Sequence, residues 1–357
     1  TFNSGSGNVT LDNNTTDLDL VSTSTGAVTV ENAGAVTASG TMGSFTVSNS
    51  TSFNDSATLT ITGATGITTT DGAVTLDDDS NNLGGTVTVS SGTGAITVDN
   101  NTNALDLNTT STGAVTVEDA GALTVAGSMG SFVVTNATSV NDSATLTISG
   151  TTNINTSTSN GAISLDDDAN SLTGTVTVAA GTGNVTLDNN TTNLGLVITS
   201  ANDVTIEDAG AVDLQGTVSN NLLISSATGV TDSGTLLVTG TTGMTTTGDG
   251  SVVLDTDTNA LTGAVTVTTG AGDITLDNNA TDLTLISSSS GTVTVEDAGA
   301  LTVQGSMGNF VVTDASSVAD SGTLTISGTT TIDTSSGNGA VALDEDANSL
   351  TGTVTVT

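Results

Sequence analysis

The only side chains of this protein that ionise near neutrality are carboxylates, and they gather in short runs. The densest are Asp77, Asp78 and Asp79; Asp166, Asp167 and Asp168; Asp255 with Asp257; and Asp344, Glu345 and Asp346. Carboxylate oxygens, with Asn carbonyls close by, are hard ligands of the kind Ca2+ takes. Neighbouring carboxylates without a base to pair with repel one another, and a bound cation would relieve that repulsion. These residues are therefore candidate divalent-cation ligands, with Ca2+ as the cation they would hold. The other reading is a solvated turn, in which Asp and Asn cap strand ends and accept left-handed backbone. Neither the Gly-Gly-x-Gly-x-Asp nonapeptide nor the EF-hand loop of known calcium proteins is present.

Composition removes most other chemistry. Of 357 residues, 37 are Asp or Glu and none is Lys, Arg or His, so the formal charge is −37. General acid–base work by His or Lys, Schiff-base formation, an arginine clamp and a cationic groove are all unavailable. Nucleic acid is excluded as a partner on sign. Cys, Pro, Trp and Tyr are absent too, which removes disulfides and thiolate metal sites. Paired carboxylates can hydrolyse glycosides, but a catalytic site is a unique concave departure from regularity. Here the acidic runs recur with no long insertion to build a pocket, and no enzyme is expected.

Recurrence dominates the rest of the sequence. Val9-Thr-Leu-Asp-Asn-Asn returns as Ile96-Thr-Val-Asp-Asn-Asn, Val185-Thr-Leu-Asp-Asn-Asn and Ile274-Thr-Leu-Asp-Asn-Asn, at spacings of 87, 89 and 89. Glu31, Glu118, Glu207 and Glu296 begin four Glu-x-Ala-Gly turns in the same register. The repeat units run approximately 7–93, 94–182, 183–271 and 272–357. A weaker repeat lies inside each unit: Gly94-Ala-Ile-Thr-Val-Asp, Gly113-Ala-Val-Thr-Val-Glu and Gly161-Ala-Ile-Ser-Leu-Asp share a turn glycine, an alternating strand and an acidic stop. Self-similarity at two scales is the signature of a solenoid. Each unit divides into about four coils of about 22 residues, with five shorter ones as the alternative.

Short β-branched strands with apolar residues at i and i+2 predict an all-β chain. The leading fold is a parallel β-helix, one continuous β-solenoid over 1–357, with all backbone donors paired along the stack and a narrow aliphatic core. Tandem immunoglobulin-like sandwiches are the rival, since about 89 residues also suits one such domain. At about 4.8 Å per coil the solenoid would be a rod on the order of 80 Å long. Met42, Met129 and Met307, with Phe45, Phe132 and Phe310 close behind them, mark one coil that needs extra core volume. The Asp-Asn-Asn turns at Asp12, Asp99, Asp188 and Asp277 read as corners in which Asn amides bond to backbone. Thr-x-Thr strands such as Thr86/Thr88 and Thr353/Thr355 would resemble an ice-binding face if one wall were flat and uniformly Thr. Both chain ends fall in strand-like Thr-x-Thr patterns, so an array continued covalently or by end-to-end contact of subunits is expected.

The Gly-Ala-Val-Thr-Val-Glu and Leu-Asp-Asp-Asp-x-Asn-x-Leu coils resemble the repeat regions of large bacterial surface β-helix proteins, namely filamentous-haemagglutinin-type adhesins and autotransporter passengers. The resemblance covers the whole chain and is one of pattern and composition. It implies a right-handed coil, export to the cell surface, and a role in adhesion or fibre formation. The complete absence of Lys and Arg departs from those families. No apolar run approaches the roughly 18 residues of a helical membrane span. The expected function is a non-enzymatic extracellular fibre segment or adhesin stalk. Its expected partners are further copies of itself, head to tail or in lateral bundles, and a glycan or surface receptor. A calcium-rigidified stalk of immunoglobulin-like domains is the alternative.

Overall fold

The computed structural model describes residues 1–357, with thirty-nine β-strands and no helix. No helix is therefore long and apolar enough to cross a membrane. The chain divides into two compact units, Thr1–Gly183 and Asn184–Thr357, each holding two sequence repeats. Each unit is a parallel β-solenoid. Tandem sandwiches, which need antiparallel pairing, are ruled out.

In the first unit one wall is built from Val9–Asp12, Ala27–Glu31, Ser44–Ser50, Thr65–Thr69, Thr86–Gly92 and Leu105–Ser111, paired in that order and all parallel. The intervening strands Leu18–Thr23, Ala35–Met42, Ser52–Ile61, Val74–Leu76, Ile96–Val98 and Ala114–Val117 make the other wall. Alternation does the sorting: Val28 and Val30 are buried while Thr29 between them is not. The core is thin and aliphatic, and its largest members are Phe45, Phe53, Phe132 and Phe310. Phe45 and Phe53, from different walls, meet across it with ring centroids 5.7 Å apart at 57°, a tilted pairing that aromatic quadrupoles favour.

The second unit repeats this plan. Val185–Leu187, Val204–Ile206, Leu222–Val238, Thr242–Thr246 and Ala264–Thr269 pair in series on one wall. Ala209–Val218, Leu222–Val238, Val252–Leu254, Ile274–Leu276 and Thr292–Val295 do so on the other. Leu222–Val238 serves both walls because it runs through the corner without a break.

Coil length follows corner type, and this sets a half-integral repeat. Register partners Val9, Val28, Phe45, Thr65 and Val87 lie 19, 17, 20 and 22 residues apart. Four coils thus carry Val9 to Val87, and the nine further residues to Ile96, the counterpart of Val9, are half a coil. A repeat is four and a half coils, shorter on average than the 22 residues expected, because tight corners such as Glu31–Ala35 alternate with longer ones such as Asp77–Asn81. Equivalent residues of successive repeats therefore sit on opposite walls within a unit. Phe45 pairs on the wall of Val9, and Phe132 on the wall of Ile96 through Val115.

A glycine bulge recurs at one position in all four repeats, at Gly40, Gly127, Gly216 and Gly305. In the second repeat the register slips between Val125 and Gly127. Gly127 has φ +107°, and a Cβ there would come 2.0 Å from the Thr109 carbonyl oxygen, so only glycine fits. Met129, two residues on, is buried as core filling, as are Met42 and Met307. Outward threonines do stack, as at Thr75, Thr97 and Thr116. Val133 and Asn153 continue that row, so the uniform Thr wall an ice-binding face requires is not formed there.

Candidate functional site

The acidic runs form corners, and each corner is organised by a carboxylate one coil earlier. Asp55, only 5% exposed, receives the backbone N–H of Asp77 at 3.2 Å, that of Asp78 at 3.1 Å and the Asn81 side-chain amide at 2.6 Å. Asn81 is itself wholly buried and accepts the Leu59 N–H at 2.8 Å. Asp142 repeats this with Asp166 (3.2 Å), Asp167 (3.1 Å) and Asn170 (2.6 Å). Asp232 takes Asp255, Thr256 and Asn259, and Asp320 takes Asp344, Glu345 and Asn348. Successive backbone N–H groups curled around an anion make a nest. Here the anion is the protein's own aspartate.

This places every predicted ligand. Asp77 and Asp79, Asp166 and Asp168, Asp255 and Asp257, and Asp344, Glu345 and Asp346 are exposed, whereas Asp78 and Asp167 are half-buried. The Asp78 Oδ1 accepts from the Thr58 hydroxyl at 3.0 Å and the Ser80 N–H at 3.1 Å. Asp167 does the same with Thr145 and Ala169, both at 3.1 Å. The Ser164 hydroxyl donates to Asp166 at 3.0 Å. The runs thus use their main chain and central side chain for folding. No group of three or more acidic side chains gathers where it could hold a metal ion.

The corners also stack. Leu76, Val98 and Val117 are in register, so Asp77, Asp99 and Glu118 follow one another at about the 4.8 Å strand spacing. Leu254, Leu276 and Val295 align Asp255, Asp277 and Glu296 likewise. Burial first, and neighbouring carboxylates second, push Asp99, Glu118, Asp277 and Glu296 above the usual carboxylate range. Burial also raises Asp55 and Asp142, outweighing the Asn amide and the two backbone N–H groups that oppose it. At Asp320 burial still pushes upward, but the Asn348 amide and the Glu345 and Asp344 N–H groups prevail and the carboxyl lies below its ordinary value.

In the Asp-Asn-Asn corners each residue has a separate task. Asp99 Oδ1 accepts the Asn101 N–H at 2.6 Å, Asn101 takes φ +54°, and the wholly buried Asn100 accepts the Leu83 N–H at 2.7 Å and donates to the Ala104 carbonyl at 2.8 Å. Asn278 bonds Leu261 and Thr281 in the same way. Asp12 and Asp188 accept from Asn14 and Asn190. These asparagines are structural, as the pattern suggested. Glu31 ends its strand, and Glu118, Glu207 and Glu296 each follow one directly.

The residues that sequence reasoning passed over are Asp55, Asp142, Asp232 and Asp320, with Asn81, Asn170, Asn259 and Asn348. A signal existed: Asp-Ser-Ala/Gly-Thr-Leu begins at each of those aspartates, about one coil before the acidic run. Open recesses lie elsewhere on both units, at Ser90, Thr110 and Ser128 and at the equivalent Thr268, Ser288 and Ser306. Hydroxyls line them and no titratable group does. Neither recess pairs a nucleophile with a base.

Four segments of the chain, 6–90, 112–179, 201–268 and 290–357, match a family model described as repeats of unknown function (DUF5649), and the chain belongs to that family. Residues 91–111, 180–200 and 269–289, about one coil each, lie between successive segments. No curated protein and no solved structure matches the chain.

Proposed function

We propose that this member of the repeat family is a non-enzymatic structural protein, a β-solenoid segment of a cell-surface fibre or adhesin stalk working outside the cell. The observation that carries the reading is the unbroken parallel pairing of coil on coil within each unit, with the same corner network in every repeat. Such a stack gains stability by nearest-neighbour contact and tolerates extension, which is what a spacer needs. The recesses that set serines beside carboxylates, at Asp55, Asp77, Asp78 and Asp79 and at Asp282, Asp297 and Asp314, hold no cationic side chain to stabilise developing charge. The charge of −37 favours a saline exterior, since in sea-water-like salt the Debye length falls to about 3 to 4 Å and self-repulsion fades. Self-association is part of the proposal. A parallel stack whose coils pair through backbone hydrogen bonds can be extended by a further copy of the same coil. Divalent cations such as Ca2+ would then bridge exposed carboxylates such as Asp77 and Asp79 between neighbouring chains, and a glycan or surface receptor would be the fibre's target.

Electron microscopy of the purified chain in saline buffer, with and without Ca2+, tests this. Rods or longer filaments are expected. Round particles or beaded strings would overturn the spacer, and chains that stay monomeric at every salt and Ca2+ concentration would overturn self-association. A melting temperature indifferent to Ca2+ would remove the cation from the proposal.

A further inference from the structure

In the second unit, the wall that runs from Val185–Leu187 through Ala264–Thr269 continues, coil on coil, into Leu283–Ser289 and Ala298–Met307. Over five successive coils, at residues 221–225, 241–245, 264–268, 284–288 and 302–306, this wall carries no carboxylate, although nine lie between Asn221 and Ser306. All nine fall in the segments between. Strand length does the sorting. Thr242–Thr246, Ala264–Thr269 and Leu283–Ser289 are five to seven residues long and keep the acidic corners away from the middle of the wall. On the opposite wall Val252–Leu254 and Ile274–Leu276 have three residues each and end directly at Asp255 and Asp277.

The middle row of the uncharged face is Leu223, Gly243, Thr266, Ile286 and Gln304, in register. Leu223 is 45% exposed and lies across Gly243, where a Cβ would come 3.2 Å from the Leu223 Cδ1. About three coils on, or about 14 Å along the stack, opens the recess of Thr268, Ser288 and Ser306, with Met307 in its lining and a volume of about 360 Å³. One face thus carries both a projecting apolar side chain and an uncharged hollow. The first unit has the equivalent recess at Ser90, Thr110 and Ser128, but Thr46 stands over Gly66 where Leu223 stands over Gly243, and Asp106 interrupts the wall between Thr86 and Thr124.

We propose that this wall of the second unit docks a second copy of the same chain, face to face about a twofold axis. The inference rests on the self-association proposed above and names its lateral contact. A chain with 37 carboxylates and no base meets its own copy directly only where neither surface is charged. An isologous contact needs a self-complementary patch. With the axis midway between Leu223 and the recess, each copy seats its Leu223 in the hollow of the other. Five coils at about 4.8 Å by five residues at about 3.3 Å make on the order of 400 Å² a side. About 800 Å² in total is below the size of a stable standalone complex, so one contact is weak and contacts along aligned fibres add to it. Carboxylates flanking the face repel across it until salt screens them. Monovalent salt alone should therefore close the contact, without Ca2+.

Sedimentation of the full chain in EDTA, at about 0.1 M and about 1 M NaCl, where the Debye length falls from about 10 Å to about 3 Å, tests this. Lateral association is expected at the higher salt. Leu223→Asp should weaken it at least about tenfold. Leu223→Thr, which copies Thr46, should weaken it less, and Leu237→Thr, at a leucine 38% exposed but paired with Thr217 and Ala260 outside the face, should leave it unchanged. The chain has no cysteine, so Leu223→Cys and Ser288→Cys chains oxidised together at high salt should give mainly the mixed disulfide dimer. Association that Leu223→Asp leaves intact, or mixed dimers no commoner than same-variant ones, would overturn this surface while self-association stands. Chains that stay apart at every salt concentration, with and without Ca2+, would overturn both.

Discussion

Asp55 and Asp320 hold the same three donors at nearly the same distances. Yet burial lifts the first carboxyl above its ordinary value while the second lies below it. The corner of Asp55 is sealed by the following coil, which brings Asp99 and the buried Asn100 over it. Asp320, of intermediate exposure, lies in the last coils of the 357-residue sequence, where no residues of that sequence stack beyond its 344–350 turn. Donor geometry is therefore written into each repeat, whereas the energetics of the charge it holds depend on the coil stacked beyond. The difference follows from position in the stack and not from the repeat's own residues.

The largest expected effect separates these two sites. Asp55→Ala strands two backbone N–H groups and the Asn81 amide in a buried corner, and should cost about 3 to 4 kcal/mol. Asp320→Ala leaves the same groups within reach of water and should cost about 1 kcal/mol. Denaturant unfolding, monitored separately for each unit because a two-unit chain need not unfold in one step, measures both. Equal losses would show that the covering coil does not matter.

Asn81→Ala comes next. It removes the acceptor of the Leu59 N–H together with a donor to Asp55, and about 2 kcal/mol should be lost. Asn348→Ala, half-buried at the equivalent bonds, should lose about half as much. Hydrogen exchange at the Leu59 and Leu324 amides would report the difference directly.

Acidification should move the two regions in opposite directions. Asp55, Asp142, Asp99 and Glu118 have folded-state values raised above their ordinary 3.8 or 4.5. Between those ordinary values and the raised ones the folded state binds more protons than the unfolded. Stability of the first unit therefore rises as pH falls through the raised values, and levels off below the ordinary ones. Asp320 and Asp333 are lowered from 3.8. Their contribution is intact above that value and is lost as pH falls through the lowered ones. Amide protection at Asp77 and Asp78, followed from neutral to acid pH, should grow while that at Asp344 and Glu345 declines below the ordinary carboxylate range. A parallel fall at both corners would break the comparison.

How much of this could be read from the sequence depends on distance along the chain. The solenoid, its walls and its Asp-Asn-Asn corners were legible because apolar alternation and turn chemistry are local: Val185-Thr-Leu-Asp-Asn-Asn contains strand, stop and buried amide in six residues. The nest around Asp55 was not, because its partners lie 22 to 26 residues on, and the pairing depends on coil length. Reading coils as 22 residues also hid the half-coil offset between Val9 and Ile96, since corner lengths average out over a repeat. The acidic runs drew the eye by charge, although the folding information in Asp77 and Asp78 is largely in their backbone N–H groups.

The smallest effect carries the same comparison, a held polar group against an unheld one, into a single strand. Thr65 and Thr69 both point inward from Thr65–Thr69 and are nearly fully buried. Thr69 donates to the Gly72 carbonyl at 2.6 Å. Thr65, lying in register between Phe45 and Val87, has no partner for its hydroxyl, nor do the equivalent Thr152, Thr242 and Thr330. A buried hydroxyl without a partner costs stability, and valine has nearly the same shape without that cost. Thr65→Val should therefore stabilise the first unit by about 1 kcal/mol, while Thr69→Val should lose about as much by orphaning the Gly72 carbonyl. Melting of the two single variants would decide the matter. A loss at both positions would mean that the Thr65 hydroxyl finds an ordered water in the core, and that the four unheld threonines mark a buried hydration site in each repeat.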